Sequence, residues 1–241
     1  MRPLAAQLRL ELTLVLRNGE SLLLTLGIPV AVLVFFSVVD VLPIDGEAVD
    51  FLAPGVLALA ALATGFANLA IATGFDRSYG VLKRLGATPL GRPRLVLAKG
   101  LSVLAVIAIQ VLVLVVTAVA LGWRPEVEPV PLVASTVLGV AAFTGLGLVL
   151  AGRLPALVCL AAANAAFVAL LLLSGMVFPL DELPSGVRGV AEALPSTALA
   201  DALRGSLGPA GIPGRVWPAL AAWAVAGIGL AVALFRWEPD D

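Results

Sequence analysis

The sequence predicts an all-α integral membrane protein, and three observations carry that expectation. Of its 241 residues 61% are hydrophobic and only 13% are charged, whereas ordinary soluble domains run near half apolar and a quarter charged. Six apolar stretches have the length of a bilayer crossing, about twenty residues. Histidine is absent and the single cysteine, Cys159, lies inside one of those stretches. Haem ligation by histidine, an HExxH zinc site, histidine-based nucleophilic catalysis and an intrachain disulfide framework are thereby excluded.

Residues 3–18 read as an amphipathic helix lying on the membrane. Leu4, Leu8, Leu12 and Val15 form one apolar stripe widened by Leu16, with Gln7, Glu11 and Asn18 opposite and Arg9, Thr13 and Arg17 on its flank. The spans are expected at 21–39, 51–75, 97–121, 132–150, 154–173 and 217–235. Pro29 kinks the first, which a membrane helix tolerates. The loop Asp40–Asp50 is acidic and contains no Lys or Arg. The apolar run from Leu132 to Phe178 is too long for one helix, and Gly152-Arg153 with Pro155 divides it. Residues 174–213 are moderately apolar but cut by prolines. Two pieces, 186–193 and 197–206, are expected as short helices, neither long enough to cross. The whole chain, 1–241, reads as one membrane domain with no soluble domain.

Charge gives an orientation. Arg2, Arg9, Arg17, Arg77, Lys83, Arg84, Arg92, Arg94, Lys99, Arg153 and Arg236 fall on one side of the six-span scheme, against Arg124, Arg188, Arg204 and Arg215 on the other. The positive-inside rule places the richer side, with both termini, in the cytoplasm.

Six of those basic residues lie in Asp76–Lys99, an island between the second and third spans. Its first half can be a short amphipathic helix, because Val81, Leu82 and Leu85 fall together at helical spacing. Thr88-Pro89, Gly91 and Pro93 then keep the chain broken until the next span. A basic loop need only fix topology, but this one has a more particular pattern, D-R-x-x-G-x-x-K-R-L-x-x-T-P. It resembles the loop after the second span in permeases of the ABC-2 family, and a second passage, S-G-M-V-F-P-L-D-E-L-P followed by L-P-S-T-A-L-A-D-A-L-R, resembles that family's segment between spans five and six. Two departures are Leu194-Pro195, where the family more often has Asn-Pro, and Asp76-Arg77, where it commonly has Glu-Arg.

The resemblance implies a permease subunit of an ATP-binding-cassette exporter, most similar to the bacterial drug-exporter branch, in the cytoplasmic membrane. It implies a dimer, most simply of identical copies, moving an amphiphile such as a drug, antibiotic, lipid or glycan-like molecule. Two ATPase subunits would bind the ATP and Mg, leaving this chain without a cofactor. The loop 76–96 would carry a coupling helix that docks on the ATPase through Arg77, Tyr79, Val81, Leu82, Lys83, Arg84 and Leu85. Residues 174–213 would re-enter the membrane from outside.

No catalytic or metal site is expected. Gly86-x-x-x-x-Gly91 begins a phosphate-loop pattern, but Arg92-Pro93 stands where Lys-Ser/Thr is required. Asn68, Gln110 and Asn164 lie inside spans, where a polar side chain serves either helix packing or a substrate path. The span centres contain no Asp, Glu, Lys or Arg, which disfavours an ion-coupled carrier. An enzyme or assembly factor using Ser and Asp groups between Asp181 and Asp201 is the alternative from another class. Membrane lipid is an expected partner, and nucleic acid is not.

Overall fold

The computed structural model describes residues 2–17, 19–39, 47–88 and 91–237. The acidic stretch 40–46, Pro89 and the acidic tail after Trp237 lie outside them, as do the side chains of Leu4, Val15, Leu16 and Asp181. Among the described residues every regular element is helical. The chain begins with α1 (Arg2–Arg17) and α2 (Gly19–Val38). A continuous rod of 31 residues, Ala48–Ser78, follows as α3 (Ala48–Leu62), a π-helical segment (Ala63–Asn68) and α4 (Leu69–Ser78). Next come α5 (Val81–Gly86), α6 (Gly91–Ala120), α7 (Pro129–Arg153) and α8 (Ala156–Leu172). The last elements are α9 (Ser185–Glu192), α10 (Pro195–Leu207) and α11 (Val216–Leu234).

Four of these are long and apolar enough to cross a membrane: the Ala48–Ser78 rod, α6, α7 and α11. Leu23–Val38 within α2 and Ala156–Leu172 are shorter apolar helices. The chain is a multi-pass membrane protein. The rod is its core, since Leu52, Val56, Ala58 and Leu62 are fully enclosed. Helices α7 and α11 make the closest pair because glycines face each other: a Cβ on Gly145 would sit 2.2 Å from the Gly227 carbonyl carbon. Small residues permit such backbone approach where apolar burial cannot drive association in lipid.

One expectation is corrected. Pro93 does not keep the chain broken, because α6 starts at Gly91 and holds Pro93 in its first turn, where a missing N–H is harmless. On α1, Gln7 is buried and donates to Glu11 (2.9 Å), and α1 packs on α6. The cause is Lys99, a buried α6 cation that Glu11 meets at 2.9 Å. A charge removed from water needs a partner, so α1 gives its acidic side to the bundle.

At the opposite end α10 is wedged among α3, α7 and α11, with Leu199, Ala200 and Ala202 fully buried, while α9 stays exposed through Val187 and Val190. The loop before α7 pairs with the end of α10, Glu126 N–H donating to Leu207 O (3.1 Å) and Glu128 N–H to Ser206 O (2.8 Å).

Candidate functional site

The predicted coupling segment sits at the end of the bundle that also gathers α1, the α7–α8 turn and Trp237. Helix α4 stops at Tyr79, and Gly80 takes a left-handed conformation (φ 73°) that starts α5 in a new direction. A side chain there would be strained, so glycine fits the turn. The predicted coupling residues then separate into two groups. Arg77, Leu82 and Leu85 turn inward. Tyr79 (75% exposed), Val81 (42% exposed), Lys83 and Arg84 face outward.

Arg77 is only 3% exposed. Its Nη1 donates to Gly152 O (2.8 Å) and its Nη2 to Leu154 O (2.6 Å), which satisfies carbonyls at the end of α7 that no helical N–H reaches. Leu82 is fully buried and Leu85 packs partly buried against the same core. Arg77 and Leu82 therefore hold α5 and the turn before it against its own chain. The physical reason is the brevity of α5. Six residues cannot hold a helix alone, so Leu82 and Leu85, three apart, seat it on the bundle.

Two groups missed in the sequence complete this end. Lys99 bridges Glu11 of α1 at 2.9 Å and Asp76 of α4 at 3.6 Å, joining α1 to the residue just before Arg77. Trp237 covers α5, since a Cβ on Gly86 would lie 3.1 Å from its ring, and Phe235 meets it edge-on while lying against Gly152. Phe235 closing the last expected span, with Trp237 two residues on, was the sequence signal for this contact. Tyr79 stacks on Phe75 (centroids 6.0 Å) at the surface.

A cavity of about 560 Å³ opens between α2, the rod and α8. Thr25, Asn68, Asn164 and Phe167 are among its lining residues. Asn68 and Asn164 thus meet in one apolar space, Asn164 with a bond back to its own helix (Nδ2 to Leu160 O, 3.0 Å). Gln110 is not in the lining. It is 1% exposed, accepts from Thr64 Oγ1 (3.1 Å) and donates to Thr25 O (3.0 Å). Its two bonds tie α6 to the rod and to α2. Among the described residues no group of three or more His, Cys, Asp or Glu could hold a metal ion.

Beyond the cavity, Arg204 anchors the far end. Its Nη2 donates to Gly175 O and lies 3.4 Å from Met176 O, and the guanidinium sits 4.2 Å from the Phe51 ring centroid. Burial pulls it down to about 10, opposed by Asp201, so it keeps its proton at neutral pH. Asp201 is held in turn by Arg215 (2.8 Å).

The model of the ABC-2 type transporter family matches residues 4–207 of this chain, from α1 to the end of α10. The chain belongs to the ABC-2 type transporter family. No curated relative matches it. This ABC-2 permease is a membrane subunit of an ABC transporter, and the family normally works with an ABC ATPase in a separate chain. The matched region includes the cavity and α5, and leaves α11 and the Phe235–Trp237 clamp outside.

Proposed function

We propose that this ABC-2 permease exports an amphiphilic molecule across the cytoplasmic membrane, driven by a separate ATPase pair that binds the ATP and Mg. The observation that carries this reading is the outward face of α5 and its preceding turn. There Tyr79 and Val81 offer exposed apolar surface beside Lys83 and Arg84, at the basic end of the bundle. Aromatic and apolar anchors supply affinity and flanking cations supply steering. By charge this end is cytoplasmic, with both termini, and six spans follow from the two shorter apolar helices crossing beside the four long ones.

The cavity is the transport path in this scheme. It is apolar but for the Asn68 and Asn164 amides and two threonines, and contains no charged lining residue. Such a surface suits a largely apolar substrate with a few hydrogen-bonding groups. It is open along one side, and a second identical copy closes it. Helix α1 lies on the lipid surface with Leu10 exposed, and α9 and α10 form the outer cover. The drug-exporter assignment rests on the resemblance in Ser174–Arg204 and in the basic island.

The test is co-expression with a candidate ATPase and reconstitution into proteoliposomes with ethidium as the amphiphilic probe. The expected result is a stable complex whose ATP hydrolysis moves ethidium, lost when the ATPase's phosphate-loop lysine is replaced. Ethidium movement by the permease alone, or failure to bind any ABC ATPase, would overturn the proposal.

A further inference from the structure

Two of the helices lining the cavity interrupt the α-helical hydrogen-bond ladder where they face it. In α2, Pro29 has no N–H, so the Thr25 carbonyl four residues earlier lacks its helical donor. In the central rod, Ala63–Asn68 is π-helical, an irregularity that occurs mostly at functional sites. Thr25, Pro29, Thr64 and Asn68 all line the cavity. One side chain, from a helix that does not line it, joins the two irregularities. Gln110 of α6 donates Nε2–H to the orphaned Thr25 carbonyl (3.0 Å) and accepts the Thr64 hydroxyl on Oε1 (3.1 Å). The amide orientation follows from chemistry, since a backbone carbonyl can only accept.

We propose that Gln110 is a positioning residue that locks the proline site of α2 to the π segment, so that the two form one rigid wall. The opposite wall, α8, is held differently. Its fully buried residues are Cys159 and Ala163, packed with Ala70 and Ala151, while Val168 and Leu172 farther along are about half exposed. The bond that Asn164 makes to Leu160 O stays within α8. The cavity accordingly changes width by tilting α8 about its Cys159 end, with α2 and the rod moving together. That last consequence rests on the cavity being the transport path. The bracket itself does not.

The test uses the full chain in nanodiscs, without ATPase or substrate, so its outcome is separate from that of the transport assignment. Gln110→Met keeps the side chain's length and removes both bonds. It should lower the melting temperature by roughly 4–8 °C, as an orphaned buried carbonyl and hydroxyl would. In a Pro29→Ala background the Thr25 carbonyl regains a helical donor, and the same substitution should cost less than half as much, a non-additivity that packing alone does not produce. Thr64→Val is an independent arm, which should lower the melting temperature alone and have no effect added to Gln110→Met. Spin labels at Ile28→Cys and Ala72→Cys, in a Cys159→Ala chain, should give a narrow distance distribution that Gln110→Met broadens. Equal losses with and without the Pro29→Ala substitution, additive Thr64→Val and Gln110→Met, or an unchanged distribution would overturn the bracket.

Discussion

Arg77 at one end of the bundle and Arg204 at the other both turn a guanidinium onto backbone carbonyls near the end of a helix, α7 in one case and α8 in the other. Buried in the bundle, those carbonyls have little water to bond, and a delocalised, always-charged fork reaches two of them at once. The surroundings then differ. Arg77 is sealed on one side by the α7–α8 turn and leads directly into α5, whose outer face is exposed. Arg204 is carried by α10 itself, with its charge over the Phe51 ring, and that helix is wedged among α3, α7 and α11. The same device supports an exposed helix face at one end and a buried helix at the other. What a buried arginine implies therefore depends on what is built outside it.

Substitutions can test that comparison. Arg77→Met, which removes two charge-assisted bonds from a nearly inaccessible position, should cost about 3–4 kcal/mol. A strong loss of folded protein on extraction is expected, and a normal melting curve would show that the carbonyls of Gly152 and Leu154 do not depend on it. Leu82→Ala should come next, at about 2–3 kcal/mol, because the side chain is fully enclosed. Loss of ATPase binding with unchanged stability would return Leu82 to the partner interface. Arg204→Met should be the mildest of the three, about 1–2 kcal/mol, from a partly buried group that bonds the Gly175 carbonyl and covers a ring. A larger loss than Arg77→Met would reverse the ranking of the two ends.

Composition and periodicity made the helical membrane class legible, and the prolines and Gly152-Arg153 marked the breaks that set α7 apart from α8. The basic island was legible as a segment, but not which of its residues face inward. Helical spacing puts Leu82 and Leu85 on one face without saying whether that face meets a partner or the chain's own bundle, and only the packing of α5 on its own chain decided it. Arg77 and Lys99 were counted as loop charges because a linear count cannot see that the α7 carbonyls and Glu11 come within reach. Pro29 and Gln110 were each visible as anomalies in apolar spans. Their connection spans 85 positions between Gln110 and Thr25, beyond any local pattern.

The central claim is that the exposed face around α5 docks on an ATPase while its buried face holds the bundle. Tyr79→Asp combined with Val81→Asp tests it most directly, because both side chains are exposed and neither belongs to the buried core. Co-purification with the ATPase and ATP hydrolysis in proteoliposomes are read beside the melting temperature of the permease alone. The account predicts at least tenfold weaker ATPase binding, equal to about 1.4 kcal/mol or more, with a melting temperature unchanged to within about 2 °C. Full binding and full coupled hydrolysis by the double variant would contradict it and leave the island as a topology signal alone.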